Sequence, residues 1–147
     1  MGKTRKQKFR LKISSITDNL EVIRDFINNL AKKAGFNDEG ADQIELAVDE
    51  ACTNVIKHAY KFDTKKMLDI SVFLDKEKME IIISDKGSGF DISKLQVPDL
   101  EKYVHESKMG GLGIHLMRTL MDEVNYSFNP GKKNQVSLVK YLTRKSA

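Results

Sequence analysis

Glu45-Leu-Ala-Val-Asp-Glu-Ala-Cys-Thr-Asn-Val-Ile-Lys-His-Ala-Tyr60 is the stretch from which the chain is best read. Ile44, Val48, Ala51 and Val55 recur three and four apart, the stripe of an amphipathic helix, and predict a helix from about Asp38 to Ala59. Glu50 and Asn54 are four apart and share a different face, about 100° from that stripe at one residue per 100° of turn. An Asn in the middle of a helix is a mild propensity liability. A carboxylate beside an amide oxygen is either an exposed polar rim or a place for a hard cation such as Mg2+, held directly or through water.

Working outward, Phe9-Arg-Leu-Lys-Ile-Ser14 alternates apolar and polar residues and predicts one half-buried strand. Ser14, Ser15 and Thr17-Asp18 offer capping side chains for a helix over Asn19 to Lys33. Its apolar stripe is Leu20, Ile23, Phe26, Ile27, Leu30 and Ala31, and Gly35 lies just past its end. Leu68 to Leu74 and Met79 to Ser84 are strand-like runs split by Asp75-Lys-Glu-Lys78. A third helix is expected from near Gly113 to near Asp122. Val124 to Phe128 and Val136 to Leu142 form a closing strand pair around Asn129-Pro-Gly131. The order β-α-α-β-β-loop-α-β-β lacks regular βαβ alternation. It predicts an α+β fold, a two-layer sandwich in which three helices cover one face of a mostly antiparallel mixed sheet.

A chain of 147 residues is one domain, 1–147, long enough to bury a core without staples. The single cysteine, Cys52, excludes an internal disulfide. With 40% hydrophobic and 31% charged residues the composition is that of a soluble globular protein, not a disordered one. No apolar run approaches a membrane span, and the basic start MGKTRKQKFRLK has no apolar region behind it, so the expected compartment is the cytoplasm. The net charge of +4 comes from the ends. Residues 1–17 carry six Lys/Arg and no acid, and residues 131–147 carry five and no acid. Residues 18–130 hold 14 bases against 21 acids. Such ends are either the solvated sides of two strands or a surface for nucleic acid or an acidic protein.

Two further stretches carry chemistry. In Ile81-Ile-Ile-Ser-Asp85-Lys-Gly87-Ser-Gly89-Phe90 a strand ends in an acid and two spaced glycines. This is a plain turn, or an aspartate placed to accept from the amine of a bound base, with glycines that permit close backbone approach. In Met109-Gly-Gly-Leu-Gly-Ile-His-Leu-Met117 closely spaced glycines precede an amphipathic helix. That is a flexible helix start, or a set of bare amides at the positive dipole end, suited to phosphates. Together, a cation site, an amine acceptor and a phosphate cradle are what a Mg-nucleotide demands. Neither G-x-x-x-x-G-K-[ST] nor G-x-G-x-x-G is present, and the H-R-D and D-F-G of protein kinases are absent too.

With those residues in order, the sequence resembles the GHKL (Bergerat-fold) ATPases, and within them the bacterial anti-sigma factor serine kinases. Asp49 to Tyr60 is similar to the family's N box, Asp85 to Phe90 to its G1 box, and Gly111 to Asp122 to its G2 box. The resemblance runs from the first strand to the last. It implies that Asn54 holds the Mg2+ bridging the phosphates of ATP and that Glu50 is the general base. Asp85 would accept from the adenine amino group, and Gly87 and Gly89 would let the chain pass close to the nucleotide. Gly110, Gly111, Leu112 and Gly113 would lie at the phosphates, with Gly111 and Gly113 offering backbone N–H groups. Residues 86–112, roughly, would be an ATP lid.

The implied activity is that of a serine/threonine-protein kinase. It would phosphorylate an anti-anti-sigma (STAS) protein, sequester a sigma factor and so regulate transcription, as a homodimer, with no direct contact to nucleic acid or membrane. A non-catalytic ATP-gated protein-binding module of the same fold is the alternative, and a basic nucleic-acid or acidic-protein binder is a third reading. The family often has a Thr on its last strands supporting the adenine Asp. Here Gln135 stands in that place, with Ser137 as the other candidate. His58 is either a phosphate-side contact or a packed helix-end histidine. His105 reads as a loop residue and His115 as a polar helix position. Cys52 reads as a small buried hydrophobe. One Cys and three distant His make no zinc site.

Overall fold

The computed structural model describes residues 6–87, 109–129 and 132–142. β1 (Gln7–Ser14) sits at one edge of the sheet, beside β2 (Met67–Leu74) and β3 (Lys78–Asp85). Every second residue of β2 and β3 is buried, as a period of two requires when one face meets the core. Phe9, Leu11 and Ile13 of β1 stand opposite Val72, Ile70 and Leu68, so the inner face continues to the edge. Lys8, Arg10 and Lys12 take the open face, the solvated side expected of that strand.

β4 (Glu123–Ser127) and β5 (Asn134–Tyr141) complete a five-stranded sheet of order β1-β2-β3-β5-β4. Every described pairing is antiparallel, which corrects the expectation of a mixed sheet. β3 and β4 run the same way, but β5 lies between them, so no two parallel strands are paired.

α1 (Leu20–Ala34) and α2 (Asp38–Asn54) follow β1. The end of α1 is set by Gly35, whose φ of 113° is left-handed and open to glycine at no steric cost. The amides of Gly35 and Phe36 donate back to Lys32 and Ala31, both at 3.1 Å. The turn releases α2 at Asn37, whose side chain accepts from the Gly40 amide at 2.8 Å, with Asp38 and Glu39 complementing the dipole. The start of α1 departs from expectation. Ser14, Ser15, Thr17 and Asp18 make no side-chain cap; a short 3-10 turn, Thr17–Asn19, leads in, and Asn19 donates back to the Ser14 carbonyl at 2.9 Å.

α2 does not end where its α-helical bonds do. It widens into a π turn over Val55–Ala59, so the helical path reaches Ala59 as expected but with a bulge. α3 (Met109–Leu120) starts four residues before Gly113, earlier than its glycines suggest. α2 packs against both α1 and α3, and this layer closes one face of the sheet. Ile23, Ile27, Ile44, Ile70, Ile81 and Leu138 are fully buried in the single core between the layers. Each contributes roughly 1.5–3 kcal/mol by leaving water. Among the described residues no helix is long and apolar enough to cross a membrane.

Candidate nucleotide site

Two of the three sequence stretches meet along the α2–α3 seam, and the third rests on the π turn that follows α2. Glu50 and Asn54 project from the last turns of α2, and Gly113 of α3 lies against them. A Cβ added at Gly113 would fall 2.7 Å from Glu50 Oε2 and 3.8 Å from Asn54 Nδ2. The glycine is what lets α3 approach the carboxylate. Gly110, Gly111 and Leu112 lie in the first turn of α3, where backbone N–H groups have no partner within the helix. Gly113 sits one residue further in.

Glu50 is half-buried. Burial, then the charge of neighbouring Asp49, raises its carboxyl above the usual carboxylate range, against a smaller pull down from Lys57. Asp49 itself is engaged by Arg24 of α1 at 2.9 Å. Asn54 is 3% exposed, and its Nδ2 is buried with no hydrogen-bond partner among the described residues. Burial raises the pKa of the Tyr126 hydroxyl, against a smaller pull down from the Asn54 side chain. A buried orphan amide costs free energy unless something occupies the space beside it.

Asp85 ends β3 on the inner face, 6% exposed. Its Oδ1 accepts from the Gly87 amide at 2.8 Å and from Asn134 Nδ2 at 3.1 Å. Its Oδ2 takes no hydrogen bond from the described residues, so one acceptor is left for an incoming amine. Asn134 is 1% exposed and also donates to the Gly87 carbonyl at 2.8 Å, while its Oδ1 accepts from the Asn129 amide at 3.0 Å. Asn134 therefore supports the aspartate. Gln135 and Ser137 do not: both take the open face, and Ser137 donates to Glu80 at 2.9 Å. The sequence signal was available, since Asn134 opens the last strand opposite Asp85, but the bond spans 49 residues.

Gly87 is needed for packing. A Cβ there would stand 2.5 Å from the Ala59 carbonyl oxygen, so the turn after β3 rests directly on the π turn. Tyr60, overlooked as a functional residue in the sequence, fastens the same corner. Its hydroxyl donates to the Met67 carbonyl at 2.8 Å and accepts from the Lys86 amide at 3.0 Å. His58 is exposed in the π turn rather than packed, and burial, then Lys57, holds its pKa below the ordinary histidine value. His115 is on the exposed side of α3. Cys52 is fully buried, and burial pushes its thiol up, which fits an inert core residue. Gly89, His105 and most of the expected lid lie outside the described residues.

The donor set fits a nucleotide-borne cation. Among the described residues no three His, Cys, Asp or Glu gather to hold a metal by themselves. Mg2+ commonly takes one or two protein oxygens and completes its shell with waters and substrate phosphates. Asn54 and Glu50 offer two side chains of that kind.

The chain is similar to known proteins over most of its length. Residues 13–140 match the histidine kinase-like ATPase domain family. The serine-protein kinase RsbW of Bacillus licheniformis is 36% identical over 127 residues, which cover 84% of this chain and 78% of that protein. The serine-protein kinase RsbW of Bacillus subtilis is 34% identical over 137 residues, covering 90% and 84%. A solved structure of the RsbU and RsbW domains of a Mycobacterium tuberculosis protein superposes with a TM-score of 0.63 at 13% identity. The match covers 91% of this chain and 31% of that one, and it supports the fold alone.

Proposed function

The chain belongs to the histidine kinase-like ATPase domain family, in the company of the RsbW serine-protein kinases, and from that premise we propose that it is an ATP-dependent serine kinase acting on an anti-anti-sigma protein of the STAS type. The observation that carries this is the convergence of Glu50, Asn54 and Gly113 around one orphaned buried amide. Asn54 and the first turn of α3 hold the triphosphate end, and Asp85 Oδ2 accepts from the adenine amino group. Asn54 would hold Mg2+, which would supply charge neutralisation at the phosphates.

Glu50 takes the proton from the partner's serine hydroxyl as the serine oxygen bonds to the γ-phosphorus. The bond from that phosphorus to the β–γ bridging oxygen breaks, and ADP leaves. A carboxylate whose pKa is raised by burial is a better proton acceptor than a solvated one, provided it remains ionised at working pH.

By the same reading the chain works as one ATP-binding unit, residues 1–147, with a lid over roughly 86–112 that includes Gly89. It forms a homodimer in the cytoplasm and sequesters a sigma factor. It regulates transcription by choosing between that factor and its phosphorylation substrate. The names of the relatives favour transfer over a purely ATP-gated module. The direct test of the pocket is calorimetric titration with ATP, with and without Mg2+. Mg-dependent binding of one nucleotide per chain supports it; no binding in either condition removes the basis for a kinase.

A further inference from the structure

On the open side of the sheet, Lys12, Lys65, Lys66, Lys86 and Lys133 line a cleft of about 440 Å3. They arrive from separate places: β1, the segment before β2, the residue after β3 and the residue before β5. None forms an ion pair with a carboxylate of the described residues. Two acids also line it, Asp69 on the open face and Asp85 at the end of β3, and Asp69 is already taken. Arg10 binds it with two hydrogen bonds, at 2.6 and 3.1 Å. That bond holds the Asp69 carboxyl below its usual range, and Lys12 and Lys133 add to the effect, which places both ammonium groups in its field. Five cations around one hollow repel one another unless an anion joins them.

We propose that this cleft is a second anion site, taking a ligand with several linked phosphates, free or attached to a nucleoside. Its size is that of a small-molecule site. Lysine is a compact point charge that suits phosphate without demanding a planar partner. A duplex presents its phosphates along a line and calls for a stripe of charge, whereas these lysines surround a concavity. The site is separate from the nucleotide pocket, because Glu50, Asn54, Gly113 and Asn134 do not line it. The two share Asp85, beside which Tyr60 and Lys86 are joined by a hydrogen bond. The inference does not depend on kinase activity.

The test uses inorganic tripolyphosphate without metal, titrated into the full chain and into the Asn54→Ala variant. Saturable binding of equal strength in both is expected. It should weaken by about tenfold in each of Lys12→Gln and Lys133→Gln, the scale of one lost charge-assisted hydrogen bond. Rising salt should weaken it further. Repeating the titration with ATP on Asn54→Ala separates the sources. Affinity equal to tripolyphosphate assigns the site to free phosphate chains, and tighter binding assigns it to a nucleoside polyphosphate. Three results would overturn the proposal: no saturation at roughly millimolar ligand, affinity indifferent to both lysine substitutions in variants that unfold at the native temperature, or tighter binding of a short DNA duplex through the same lysines.

Discussion

Asn134 Nδ2 lies 3.1 Å from Asp85 Oδ1, joining the start of the last strand to the end of the third. The same amide reaches the Gly87 carbonyl, and the Asn134 oxygen takes the Asn129 amide. One buried side chain thus orients the aspartate and fixes the turns on both sides of it. Asp85 is left with Oδ2 for a ligand because Oδ1 is fully used.

Asn134→Ala should therefore do two things. Loss of three hydrogen bonds in a buried corner should cost about 1–3 kcal/mol, read from urea or thermal unfolding. Nucleotide affinity should fall with it, because Asp85 loses its orientation. A variant with native stability and native ATP affinity would show that Asn134 is incidental.

Asn54→Ala should behave in the opposite sense for stability. The substitution deletes a buried amide that has no partner, so the ligand-free protein should unfold at the same or a higher temperature than the native chain. Adding Mg-ATP should raise the unfolding temperature of the native protein and leave the variant unmoved. A destabilised variant that still responds to Mg-ATP would assign Asn54 to the scaffold.

Glu50 carries a pH prediction. Its folded-state pKa is raised, so the folded chain holds that proton more tightly than the unfolded chain does. The contribution to stability is greatest at low pH and is lost as pH rises from the ordinary carboxylate range through the raised value. Glu50→Gln should thus be at least as stable as the native protein at neutral pH. It should bind ATP and lose phosphoryl transfer. The native rate should climb with pH through the raised pKa, since only the ionised form accepts a proton. A flat profile over that window would point to another base.

The two glycines at the site should respond differently to alanine. At Gly87 the new methyl meets the Ala59 backbone, which cannot swing aside, and a loss on the order of 1–3 kcal/mol or more is expected in unfolding experiments. At Gly113 it meets the end of the Glu50 side chain, which can move. Gly113→Ala should keep most of its stability and lose activity by displacing the carboxylate. Equal stability losses at the two positions would contradict this distinction.

Much of this fold was legible from periodicity. The stripes of α1 and α2 and the alternation of β2 and β3 match their burial, and Gly35 marks the helix end it suggested. Local propensity misled at α3: glycine is a poor helix former, yet Gly110, Gly111 and Gly113 lie within the helix. The capping side chains proposed before α1 were outcompeted by a 3-10 lead-in. The pairing of Glu50 with Asn54 follows from a spacing of four. By contrast, Asn134 and Tyr60 act through bonds to residues distant in sequence, and the π turn at Val55–Ala59 has no signature in the pattern of apolar residues.

The most direct measurement of the central claim is phosphoryl transfer itself. The full chain, Mg-ATP labelled at the γ-phosphate and a STAS-domain anti-anti-sigma protein of the same organism are combined, and the label is located by peptide mapping. Label on one partner serine, abolished by Glu50→Gln while ATP binding persists, is the expected result. Bound Mg-ATP with no label on the partner, or transfer undiminished in Glu50→Gln, would contradict it.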